Sequence, residues 1–305
     1  SDQLVLPTMA AVAMKVNEVL RDPDAGMKEA AAVMEKDPVL AARTLRMATS
    51  AAFGGGKKIT LTEALARLGT KTLKTILVEA SAQKVFVSKN PQINEQLKVL
   101  WEHSVAVGML ARDVLALTGA QDSDSAYLAG LLHDIGKPVV ATILLELERQ
   151  LTEVYQRSWI DSGEWLDVIG KVHRPVAVVL AEKWALPPPI VACIKEAGEY
   201  DQANRQSLAN AVCFANALSK KSGIYAGRVD EEDNDALVMI GRSVIGISDD
   251  ILRTLTKRRD LQVHDVQPVE QIFAETSRAD FFRQIAVRSR DDADIDRNGA
   301  RAADA

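Results

Sequence analysis

The chain has 305 residues, 47% of them hydrophobic and 26% charged, with a formal net charge of -5. Such a chain can bury a sizeable core, which excludes a disordered or fibrous protein. The acidic balance argues against a surface basic throughout, and no apolar run approaches the roughly 20 residues of a membrane span, nor does the start read as a secretory leader, so cytoplasm is the expected compartment.

Apolar residues recur at helical spacing almost everywhere and alternating β-branched runs are scarce, which predicts an all-α protein. "LPTMAAVAMKVNEVL" is helical after Pro7, and two further helices follow over residues 22–55. Asp37 before Pro38 is an N-cap followed by a proline at the first helical position, with Leu40, Thr44, Leu45 and Ala48 as the inner face. "GGGKK", residues 54–58, lacks the glycine, lysine and hydroxyl order of a phosphate loop and reads as a turn. Thr60 and Glu63 have capping-box spacing, Gly69 can close that short helix, and Thr70 to Val87 forms a longer one. Lys57, Lys58, Arg67, Lys71 and Lys74 cluster in sequence but bring no base-reading set, so nucleic acid is disfavoured as a partner. "SKNPQINE", residues 88–95, reads as the joint between an amino-terminal helical lobe of about residues 1–90 and a second lobe of about 91–288.

In the second lobe Leu100, His103, Val107, Leu110, Val114 and Leu117 fall on one stripe, so His103 faces the core. "SAYLAGLLHDIGKPVV", residues 125–140, sets His133, Asp134 and Lys137 into an apolar run, where such groups seldom lie without compensation for lost hydration. The pattern predicts a short buried helix with His133 and Asp134 in its final turn, ended by Gly136, and a next helix started by Pro138. His173 is expected just before a helix that Pro175 opens. Cys193 and Cys213 read as small buried hydrophobes. Beyond residue 230 amphipathic spacing continues, His264 is expected to be exposed, and residues 289–305 form an acidic tail too poor in apolar residues to pack.

Imidazole and carboxylate groups from several helices can hold a divalent metal, which lowers the pKa of bound water and presents it as a nucleophile towards phosphorus. His103, His133, Asp134 and His173 would suit that role. The plainer alternative makes His133 and Asp134 a hydrogen-bonded pair fixing a helix end, His103 a satisfied core histidine and His173 a capping or packing residue. Lys137 then complements the helix carboxy terminus.

The helix histidine followed by a His-Asp pair resembles the HD superfamily of metal-dependent phosphohydrolases, and "HDIGK" is shared with its cyclic-dinucleotide phosphodiesterase branch. The ordered set "LPTM", "AAVMEKDPVLAARTLRMATSAAFGG" and "ITLTEALARLGTKTLKTIL" resembles the HDOD family, bacterial HD-related output domains, from about Leu4 to Gly223. Thr49 stands where that family usually carries an asparagine. The resemblance implies a two-lobed all-α module, residues 1–288, that acts in signal transduction by binding another regulatory or signalling protein. It also implies that the last metal ligand, an aspartate in active HD enzymes, falls at Asn216 of "FANAL", and that a His-His pair of the phosphodiesterases is replaced by Ala197 and Gly198 of "KEAGEY". A neutral amide is a weaker ligand for a hard ion than a carboxylate. The expectation is therefore a non-catalytic protein with no cofactor, against the alternative of a phosphohydrolase weakly holding a divalent metal ion.

Overall fold

The computed structural model describes residues 6–255 apart from 51, 52, 54, 56, 57, 121, 156–161, 226, 228, 249, 253 and 254. His264, Lys57 and the tail 289–305 lie outside the described residues. Eleven helices are found among the described residues and no strand, so the protein is all-α: α1 (Ala11–Val19), α2 (Met27–Met34), α3 (Pro38–Ala48), α4 (Leu61–Val85), α5 (Pro91–Leu117), α6 (Ser123–Leu132), α7 (Gly136–Tyr155), α8 (Ser162–Lys183), α9 (Pro188–Glu196), α10 (Leu208–Lys221) and α11 (Glu231–Ile245).

Local chemistry accounts for several boundaries. The Asp37 side chain accepts from Leu40 N at 3.1 Å with Pro38 opening α3. Thr60 and Glu63 cap α4 reciprocally, Glu63 N donating to Thr60 Oγ1 at 3.2 Å and Thr60 N to Glu63 Oε2 at 2.7 Å. Gly69, at φ 74° and ψ 163°, breaks α4 into two helical limbs, a backbone state open chiefly to glycine. The α3 face buries Leu40, Thr44 and Ala48 as the spacing predicts, together with Arg43 and Met47, while Leu45 is half-buried.

Helices α1 to α4 pack among themselves, α5 lies along α6 and α10, α10 also meets α9 and α11, and α7 pairs with α8. Contact between α4 and α6 joins the two groups, and one hydrophobic core runs through both, from Met9 to Leu255. Two features lock this junction. Trp184 Nε1 donates to Pro7 O at 3.2 Å and Lys183 Nζ to Leu6 O at 2.8 Å, strapping the Leu-Pro segment to the end of α8. Glu79 of α4, fully buried, lies 3.7 Å from the Arg43 guanidinium and accepts from the Tyr127 hydroxyl at 3.3 Å.

The segment Ser123–Leu151 is long and apolar enough to cross a membrane by length and composition, which corrects the expectation that no run comes near; 78% of its most apolar window is buried inside the fold. Helices α6 and α7 are core helices because their apolar sides meet α5, α8 and α10, with Asp134 in the turn between them and Lys137 in the first turn of α7.

Candidate functional site

Helices α5 and α6 can cross closely because two glycines face each other. A Cβ on Gly130 would stand 2.8 Å from both Gly108 Cα and Val107 O, and one on Gly108 2.9 Å from Tyr127 O. Contacts that short are repulsive, so only glycine permits the crossing. The approach brings His103 of α5 against His133 at the end of α6, ring centroids 5.4 Å apart and inclined by 61°. Asp134 follows in the turn between α6 and α7.

Gly136 plays a different part from the one the sequence suggests. It is the first residue of α7 rather than the stop of α6, and a Cβ there would collide with the His173 carbonyl. Its lack of a side chain lets α7 start against α8. His173 itself is not ahead of a helix: α8 runs from Ser162 to Lys183 with Pro175 inside it, so the residue is an interior one and not a cap. Proline marks a helix start only when nothing upstream already propagates the helix; here packing on α7 outweighs the one hydrogen bond that Pro175 removes.

Four titratable side chains converge on Asp134, which is buried. His133 Nε2 lies 3.2 Å and His103 Nε2 3.8 Å from its Oδ2, Lys137 Nζ 2.5 Å from the same oxygen, and His173 Nε2 3.5 Å from Oδ1. Every imidazole is turned by its other nitrogen. His103 Nδ1 is 2.7 Å from Ile224 O, His133 Nδ1 2.7 Å from Gly130 O, and His173 Nδ1 2.9 Å from both Ile169 O and Gly170 O. A carbonyl can only accept, so each Nδ1 carries the proton and each Nε2 of a neutral ring carries the lone pair. Backbone-anchored imidazoles of this kind are how proteins orient metal ligands.

Electrostatics follows from burial. Burial pushes the His103 imidazole down to about 3, aided by His133, so it is neutral near pH 7. Burial, and then Lys137, also outweigh the Asp134 attraction at His173 and lower it. Burial alone would raise the Asp134 carboxyl, but His133 and Lys137 beside it hold it well below the usual carboxylate range. The cluster therefore holds a carboxylate beside the Lys137 amine, with the His103 imidazole neutral near pH 7.

Asn216 stands on α10, one turn before Ser219, whose hydroxyl lies 3.1 Å from His103 Nδ1, and Lys220. Its Oδ1 is buried and accepts no hydrogen bond, and His133 Nε2, 3.2 Å from Asp134 Oδ2, is likewise without a hydrogen-bond partner. Two buried polar atoms without hydrogen-bond partners on adjoining elements leave room for a further ligand or water. The ligand atoms of His103, His133 and Asp134 all lie within 4.8 Å of one another, a donor set that fits a divalent ion, whereas His173 reaches only the far oxygen of Asp134. When bound, such an ion would lower the pKa of a coordinated water.

Sequence reasoning missed Lys220 and the Glu79 cluster. Lys220 is half-buried, its ammonium disfavoured by burial and then by Lys137, and four-residue spacing from Asn216 was the signal for it. Glu79 sits in "TILVEASA", residues 75–82, the same sign of a charge in an apolar run that points to Asp134. The two cysteines are free and buried, and burial pushes the Cys193 thiol up to about 12.

The chain matches the HDOD domain over residues 6–200. A protein of Treponema pallidum (strain Nichols) whose function is uncharacterized is 27% identical over 217 residues, 69% of this chain and 41% of that protein, so the chain spans about two-fifths of the length of that curated relative. Among solved structures, a Shewanella amazonensis SB2B protein provisionally described as a metal-dependent phosphohydrolase is 23% identical, with a TM-score of 0.61 over 85% of this chain and 94% of that one. An HDOD domain protein of unknown function from Geobacter sulfurreducens is 20% identical, with a TM-score of 0.56 over 89% and 93%. A Marinobacter aquaeolei VT8 protein provisionally described as acting in signal transduction is 18% identical, with a TM-score of 0.59 over 90% and 61%. With nearly two-thirds of its sequence inside the family's domain and its helices arranged as in these structures, this chain belongs to the HDOD family.

Proposed function

We propose that this chain is a non-catalytic bacterial regulatory module, cytoplasmic, whose output is contact with another signalling or regulatory protein. One observation carries the reading: the Lys137 ammonium sits 2.5 Å from Asp134 Oδ2, the oxygen around which His133 and His103 gather. A cation supplied by the chain already balances the carboxylate that a divalent ion would need, and the ion would have to displace it. Asn216 removes the second carboxylate, and Ala197 and Gly198 offer no ligands. The Marinobacter relative's description supports a signalling setting.

The second reading, an HD-type phosphohydrolase, is favoured by the three imidazole Nε2 atoms gathered on Asp134 and by the Shewanella relative's description. His103, His133 and Asp134 would hold the ion. Metal content of the purified protein, measured beside a hydrolysis screen of phosphate esters and cyclic dinucleotides with Mn²⁺ or Mg²⁺, separates the two. The regulatory reading expects turnover no higher than that of His133→Ala. Substantial metal-dependent turnover that His133→Ala abolishes would replace it with the enzyme.

A further inference from the structure

A groove of about 270 Å³ opens where α1 and α4 face α6 and the α8–α9 connection. Its floor is apolar and built from both helix groups: Met9, Leu77, Val78, Leu128, Trp184 and Ile190 are all buried side chains. Its charged lining is three basic residues, Arg21, Lys71 and Lys74, against the single acid Asp124, on a chain whose net charge is -5. Lys71 is held by Asp122 at 2.8 Å and by Asp124 at 3.4 Å, which accounts for that acid. Arg21 and Lys74 are exposed and form no ion pair among the described residues.

One wall is stiff. Ala185 takes a left-handed φ of 50° between Trp184 and Leu186, Pro187 and Pro188 follow, and the Trp184 to Pro7 hydrogen bond ties this corner to the amino-terminal segment. A preformed wall lowers the ordering cost of binding.

The arrangement of charge selects the occupant. A volume near the lower end of small-ligand sites, roughly 300 Å³, takes two or three side chains, and the free cations lie on the rim and not on the floor. An occupant must insert apolar groups and leave its anions at the surface, which is how an amphipathic helix lies in a groove. We propose that this groove docks an acidic amphipathic helix of a partner protein, its apolar side chains on the Leu77, Leu128 and Trp184 floor and its carboxylates facing Arg21 and Lys74. The proposal rests on the protein-contact reading above and gives it a surface and a partner chemistry.

The test uses the full chain and three fluorescent probes: a helical peptide with leucines on one face and glutamates on the other, the same peptide with lysines replacing the glutamates, and a single-stranded oligonucleotide. Anisotropy should show saturable binding of the glutamate peptide alone, weakening as salt rises. The pair Arg21→Glu and Lys74→Glu should weaken it about tenfold or more, and Asn17→Trp, which fills the groove without altering its charge, should weaken it too, with helix content unchanged by circular dichroism. Absence of glutamate-peptide binding, equal binding of both peptides, binding indifferent to these variants, or oligonucleotide binding that the charge reversals abolish would each overturn the groove assignment. None of these outcomes alters metal content or turnover, so the groove can fail while the non-catalytic reading stands, and the reverse.

Discussion

The protein buries charge in two places, and the two are built on opposite principles. At the junction of the helix groups, Arg43 and Glu79 have side chains only 8% and 0% exposed, and Tyr127 closes the set by donating to Glu79. Burial raises the Tyr127 hydroxyl well above its ordinary range, so it stays a neutral donor. Opposite charges meet there, and Arg43 Nη2 also donates to Gln83 Oε1 at 2.9 Å. Around Asp134 the floor is equally buried, but three imidazoles share one carboxylate with the Lys137 amine, Lys137 and His173 are only half-buried, and so are Asn216 and Lys220 on α10. Buried charge alone therefore does not mark a site; several imidazoles converging on one carboxylate beside half-buried residues do.

Breaking the closed cluster should cost most. Glu79→Ala leaves the buried Arg43 guanidinium without its carboxylate, with an expected loss of about 3–5 kcal/mol in urea unfolding. A loss no greater than at an exposed glutamate would mean that water reaches the junction and that the two clusters do not differ in kind.

Asp134→Ala should cost less, about 1–3 kcal/mol, because the freed Lys137 is half-exposed and can turn towards solvent. Unchanged thermal unfolding together with loss of a measurable turnover would favour the enzyme reading.

Asn216→Asp sharpens the comparison by adding a negative oxygen to α10, the helix that also carries Lys220. Titration calorimetry with Mn²⁺ should show affinity rising about tenfold, without new phosphodiesterase activity, since Ala197 and Gly198 still supply no ligands. No gain in affinity would mean that Asn216 does not reach the cluster.

The smallest expected effect is in mild acid. His103 titrates at about 3 in the folded protein against 6.5 ordinarily, so as pH falls the unfolded chain takes up the proton first and folding weakens. The loss is about 1 kcal/mol between pH 6.5 and about pH 5.5 and continues towards pH 3. His173, lowered in the same sense, adds to it, while Asp134, held well below 3.8, weakens folding as pH falls from 3.8 towards its lower folded-state value. Urea midpoints across this range should fall, with a flatter profile for His103→Gln. Midpoints that rise in acid would show that His103 binds its proton in the folded state and pairs with Asp134.

What could be read from residues alone was whatever depends on near neighbours in the chain. The Asp37 cap, the Thr60 and Glu63 capping box, the break at Gly69 and the inward face of His103 are all set within a turn or two, and spacing reports them. The His133 and Asp134 pair was legible because a charge in an apolar run needs a reason. Pro175 misled because helix continuation through a proline is decided by packing across from α7. Gly136 misled for the same reason: its cause is the His173 carbonyl, which is distant in sequence. Only the tertiary structure decided that Lys137 pairs with Asp134, that three imidazoles are anchored through Nδ1, that Glu79 answers Arg43, and that Arg21 and Lys74 overlook a groove floored from both helix groups. Those facts depend on distances between helices far apart in the chain, and hydrophobic periodicity fixes which face of a helix is buried but not which neighbour that face meets.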